Sequence, residues 1–230
     1  RDMQIGWNVI CSFATAGSAV IALMISCQQI ALSNRQCLFE RRLKVYMLIQ
    51  GLLELCEEYL DGILMERNFG PEYSVDSMFA YLTNNSYLES LADAIKQPGK
   101  GPFHQNFLRK REELRKVAVE CELIFKKQEA LEYSNFLRAY EKALASMYRY
   151  KIVIDKMNEI NSKKPMTEEA LINMCGEESV RLELYNAFEA LKTAYDVAIR
   201  ANVQEKVKRQ ITLKCWVTHF GARPRKAKNR

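Results

Sequence analysis

The chain has 230 residues, 48% of them apolar, with 9 Gly, 5 Pro, 7 Cys and a net charge of +6. This composition excludes a disordered chain. Seven cysteines, an odd number without any C-x-x-C pair, match neither a disulfide framework nor a zinc site, and are read as reduced thiols in a reducing compartment. The charge is uneven: residues 203–230 carry nine Lys or Arg against Glu205, which leaves the remainder near −2.

Residues 3–34 hold no charged side chain, whereas a bilayer core needs only about 20 apolar residues of helix. A cleaved signal would be about 7–15 apolar residues behind a basic flank, and that flank is missing. Residues 4–34 are therefore expected to form a transmembrane helix. Arg35, Arg41, Arg42 and Lys44 crowd its C-terminal side, diluted only by Glu40. Positive flanks stay cytoplasmic. The expected topology is a single pass through the inner (cytoplasmic) membrane, N-terminus outside and residues 35–210 inside.

On a helical wheel at about 100° per residue, the polar and small residues of this segment segregate. Asn8, Ser12, Thr15, Ala19, Ala22, Ser26, Gln29 and Ser33 share one arc with Gln4 and Cys11, while Val9, Phe13, Val20, Ile21 and Met24 fall mostly opposite. A lone Ser or Thr bonds back to the preceding turn at little cost. An amide facing hydrocarbon is harder to satisfy. Small residues at four-residue spacing (Ala14, Ser18, Ala22, Ser26) let helices approach in lipid. The arc is read as a helix–helix interface or, if several copies surround an axis, a pore lining.

The periodicity continues past the membrane. Phe39, Tyr46, Ile49, Leu53, Cys56, Leu60 and Ile63 hold an a/d-like spacing, with Arg42 at the missing step, so a nearly continuous helix is expected over 4–66. A second helix is expected over 75–96. Residues 103–163 contain no Gly or Pro, and Tyr133, Phe136, Leu137, Tyr140, Leu144, Met147 and Lys151 form a core-facing stripe within them. The run Arg109-Lys110-Arg111-Glu112-Glu113 reads as a solvated face with pairs Arg109–Glu113 and Glu112–Lys116. A short helix at 167–174, capped by Thr167, and a long one at 177–210 flank Gly176. The fold class is all-α: one N-terminal transmembrane helix continuous with a cytoplasmic antiparallel bundle of four to five helices. Residues 211–230 are read as a basic tail, unstructured or vector-encoded; for its last ten residues, GARPRKAKNR, a native, a frameshifted and a vector-derived origin all stay open, and Arg1-Asp2 ahead of Met3 reads as a vector remnant.

No nucleotide-binding, nucleophile-elbow or metalloprotease motif occurs, and no cofactor or metal is expected. His104 and His219 are the two histidines available as general bases, His104 in a Gly/Pro loop and His219 in the tail. Glu57-Glu58 and Glu177-Glu178 read as ordinary helix surface.

The outward N-terminus, the span with a polar face, the basic RQCLFERRLKVY junction and the small bundle together resemble the membrane accessory protein of type VI-B, RNA-targeting CRISPR systems. The resemblance is architectural and covers residues 4–210. It implies a HEPN-like soluble bundle, assembly into a homo-oligomeric ring that forms a membrane pore, a role in antiviral defence, and an RNA-guided CRISPR effector as partner; direct nucleic-acid binding stays open. Active HEPN ribonucleases separate an Arg from a His by four to six residues. Ahead of His104 those positions hold Gln97, Pro98 and Gly99, and ahead of His219 Thr212, Leu213 and Lys214. Lysine lacks the planar guanidinium fork, so a non-enzymatic assembly is expected. The rival reading is a membrane-tethered helical adaptor or RNA-binding module without a pore.

Overall fold

The computed structural model describes residues 2–65, 75–99 and 101–212, with the side chains of all but 2–12, 14, 127, 201 and 202. Among these residues every regular element is helical: α1 (Asp2–Met65), α2 (Val75–Leu82), α3 (Gly101–Ile124), α4 (Lys127–Lys163), α5 (Glu168–Cys175), α6 (Glu177–Ala198) and α7 (Ala201–Ile211). The chain divides into two compact units, Arg1–Arg41 and Arg42–Arg230. The expected all-α fold, with one long apolar N-terminal helix and a helical bundle, is what forms.

In the second unit the remainder of α1 buries one side. Ile49, Leu52 and Leu60 are fully buried, and Val45, Leu53, Cys56 and Ile63 nearly so. Each fully buried aliphatic side chain contributes about 1.5–3 kcal/mol, so this face ties α1 firmly to the bundle.

The second helix is shorter than its sequence pattern implies. It stops at Leu82 and gives way to turns, with short 3-10 segments at Glu89–Leu91 and Ala94–Lys96. The cause is local competition for backbone groups. Thr83 Oγ1 donates back to the Phe79 carbonyl at 2.8 Å, and Asn85 Oδ1 accepts from the amides of Tyr87 (3.0 Å) and Leu88 (2.8 Å).

α4 is the axis of the bundle, with α2, α3, α5, α6 and α7 all packed on it. The expected stripe is its core face: Tyr133, Phe136, Leu137, Tyr140, Leu144 and Met147 are fully buried. Lys151 ends the stripe with its ammonium on Asp76 (3.2 Å) and Asp155 (2.9 Å). The uninterrupted 103–163 stretch nonetheless breaks at Phe125-Lys126. Lys126 is extended, with its amide held by Gln210 Oε1 at 2.9 Å.

Thr167 caps α5 as expected, its hydroxyl accepting from the Ala170 amide, a contact worth about 1 kcal/mol. Gly176 closes the helix at φ 64°, where a side chain would be strained. The helix expected over 177–210 is broken at Ile199-Arg200 into α6 and α7. No Gly or Pro marks that break; turning the chain there buries Val203 and Val207 against the core.

Candidate functional site

The candidate site is built on α1 within residues 2–41. No proline interrupts it, and it is long and apolar enough to cross a membrane, with none of its apolar window buried. Phe13, Val20, Ile21, Leu23, Met24, Ile25, Ile30 and Leu32 all lie exposed, Phe13 at 75% and Leu32 at 67%. Covering eight such side chains is worth about 12–24 kcal/mol, a strong drive to bury this surface in an apolar environment.

Of the polar arc, Thr15, Ala19, Ala22, Ser26, Gln29 and Ser33 are exposed on the helix surface. The side chains of Asn8 and Ser12 lie outside the described residues. Ser26 Oγ donates to the Ala22 carbonyl at 2.9 Å, and Ser18 Oγ to the Thr15 carbonyl at 2.9 Å. Both hydroxyls are satisfied by their own helix. Gln29 differs in kind, because an amide carries two donors and an acceptor that a helix's own carbonyls cannot all serve.

The basic junction is not uniform. Arg35, Arg41 and Lys44 are exposed, and Glu40 accepts from Gln36 at 3.1 Å. Arg42, in the second unit, is partly buried instead. Its Nε donates to the Ile124 carbonyl at 2.7 Å and its Nη1 to the Gln210 carbonyl at 2.9 Å. Both acceptors lie at C-terminal ends of helices, α3 and α7, where carbonyls lack intrahelical partners. Burial lowers the Arg42 pKa, yet so basic a group stays charged. Arg42 is thus a bundle clasp rather than a headgroup ligand.

The chemical candidates in the bundle resolve into structural parts. His104 stands in the first turn of α3 and not in a loop. Its Nδ1 lies 2.8 Å from the Tyr148 hydroxyl, which also accepts from the Gly99 amide at 2.6 Å. The pair holds the turn in which Gly99 has φ 76°. His219 and Lys214 lie outside the described residues. No group of three or more His, Cys, Asp or Glu capable of holding a metal occurs among the described residues.

Sequence reasoning missed Glu177. It is not ordinary surface but fully buried. Its Oε1 accepts from the Tyr150 hydroxyl at 2.7 Å and lies 3.2 Å from Arg181 Nε, while Oε2 has no partner. Arg111 was likewise misread: it leaves the solvated face, and its Nε reaches the buried carboxylate of Glu141 at 2.6 Å. Glu113 pairs with Lys110 rather than Arg109, whereas Glu112–Lys116 forms at 2.8 Å as expected. Only a tertiary partner distinguishes these residues from their neighbours, and no local pattern carries that signal.

No family model, curated protein or solved structure matches the chain.

Proposed function

We propose that this protein is a homo-oligomeric membrane protein in which cytoplasmic bundles gather the N-terminal helices into a pore or gate. In this reading it acts as an antiphage defence accessory or effector that depolarises the inner membrane, works without catalysis, and takes its signal from an RNA-guided partner. The observation that carries it is an arc of small and polar residues, Thr15 to Gln29 and Ser33, along one side of an exposed apolar helix, interrupted by Ile30 and with Gln28 lying off it. Lipid alone would be served by leucine on every side. Lining an aqueous path would explain polarity concentrated on one arc.

The rival, a monomeric tether for a helical binding module, draws support from Ser26, whose hydroxyl is spent on its own helix. Oligomer size in mild detergent separates the two. Thr15→Leu with Gln29→Leu should preserve membrane insertion but reduce depolarisation, because an apolar constriction dewets. Val20→Leu with Ile21→Leu, on the opposite arc, should be tolerated. Equal behaviour of both pairs would end the pore reading, and a monomeric wild type would end the assembly reading altogether.

A further inference from the structure

Within residues 42–230, a groove of about 660 Å³ runs between α3 and α4. Its walls mix two chemistries. Leu108, Val119 and Ile152 are 46%, 48% and 41% exposed, an apolar strip open to solvent. Around them stand Arg111, Arg115, Arg138, Lys142 and Arg149 against only Glu141 and Glu183. The lining therefore has three surplus positive charges, or two when Glu122, which holds Arg138 at 2.9 Å, is included.

A second surface has the complementary composition. Met47, Gly51, Glu54, Glu58, Gly62 and Met65 recur at three- and four-residue steps and so share one face of α1. It is the face that the bundle core leaves uncovered, with Met47 at 62% and Met65 at 78% exposure. Asp61 beside it is held by Lys192 at 2.9 Å. The two glycines are the unexpected part. Each costs about 1 kcal/mol relative to alanine inside a helix, yet a Cβ at either would meet nothing within 4 Å. Among the described residues nothing uses the missing side chains. A helix packed against this face from outside would, because glycine lets backbones approach closely.

We propose that the α3/α4 groove of one copy receives the Met47–Met65 face of α1 from a second copy. The inference rests on the homo-oligomeric reading above and supplies its contact. Glu54 and Glu58 lie one helical turn apart, as do Arg138 and Lys142, so the charges meet in register. At 1.5 Å per residue the face is about 27 Å long and the Arg138–Ile152 wall about 21 Å. The methionines, soft and unbranched, cover the apolar strip. Phosphate-rich ligands fit less well, because the apolar strip of Leu108, Val119 and Ile152 would stay bare. Because the surfaces are different patches of one chain, the contact is head-to-tail, and such contacts build rings when the rotation closes.

The test uses the full chain in mild detergent, with oligomer size read by light scattering on a concentration series. Arg138→Glu with Lys142→Glu reverses the groove, and Glu54→Lys with Glu58→Lys reverses the face. Each pair should raise the dissociation concentration at least about tenfold, and all four together should bring it back, since the attraction is restored with opposite sign. Thermal melts matching wild type certify that every variant folds. Weakening by the groove pair alone means that the groove serves another acidic partner, and overturns the proposal. A wild-type oligomer indifferent to both pairs also overturns it while leaving assembly through the membrane arc standing. A monomeric wild type overturns both readings.

Discussion

Arg42 and Gln210, separated by 168 positions, are joined by a hydrogen bond of 2.9 Å from the guanidinium to the main-chain carbonyl. With the second bond to Ile124, one side chain at the foot of the apolar helix fastens the ends of α3 and α7. Hydrogen bonds from charged groups contribute about 1.5–3 kcal/mol each. Arg42→Ala should therefore lower stability by about 3–6 kcal/mol in urea unfolding. Arg42→Lys should recover little, because an ammonium cannot reach two carbonyls with a fixed fork. Arg41→Ala, at the exposed neighbour, should stay within about 0.5 kcal/mol of wild type. Equal losses at 41 and 42 would show that general junction charge matters and the clasp does not.

Tyr150 and Glu177 pose a second test. The hydroxyl is the neutral donor to a fully buried carboxylate whose other oxygen lacks a partner. Tyr150→Phe removes that donor and should cost about 1–3 kcal/mol. The urea midpoint should fall with an unchanged slope.

Thiol chemistry distinguishes surface from core and tests the orientation. Burial pushes the Cys121 thiol up to about 12, and raises that of Cys56 as well, so both are protonated and unreactive at neutral pH. Cys37 is exposed. In a chain with Cys11, Cys27, Cys175 and Cys215 replaced by serine, an impermeant maleimide should label Cys37 in inside-out vesicles and not in intact cells. The two remaining cysteines should react only after denaturation. Labelling from intact cells would reverse the topology.

Alkaline pH should unfold the bundle through its tyrosines. Burial, helped by Glu113, pushes the Tyr87 hydroxyl up to about 12, and burial also raises those of Tyr133, Tyr140 and Tyr150. A pKa raised in the folded state means that the folded chain holds its proton longer. The stability it confers is fully present below about pH 10, the unfolded value, and is lost as pH climbs toward about 12 and beyond. Tyrosine ionisation, followed by ultraviolet absorbance, should coincide with loss of helical circular dichroism. Ionisation well ahead of unfolding would show that these rings are accessible.

His104→Ala should leave the proposed depolarising activity unchanged while loosening the Gly99 turn that Tyr148 helps to hold. Faster proteolysis near Gly99 with activity retained is the expected result. Lost activity with the fold intact would reopen the enzymatic reading.

What the sequence by itself determined were the properties that depend on periodicity and chemistry within a few turns of helix. The absence of strands among the described residues, the long apolar helix, the buried stripe from Ile49 to Ile63, the core face of α4 and the caps at Thr167 and Gly176 all follow from residues three to nine positions apart. Even the early stop of α2 has a local cause: Thr83 and Asn85 override the apolar pattern that would continue it. Tertiary structure alone decided the rest. The breaks at Phe125-Lys126 and Ile199-Arg200 carry no Gly or Pro, and depend on what distant elements offer: Gln210 and Arg42 at the first, a core surface for Val203 and Val207 at the second. Glu177 and Glu178 are adjacent and chemically alike, yet only Glu177 faces Tyr150. Burying a carboxylate requires a donor placed by another helix, and local sequence does not encode which helix will supply it.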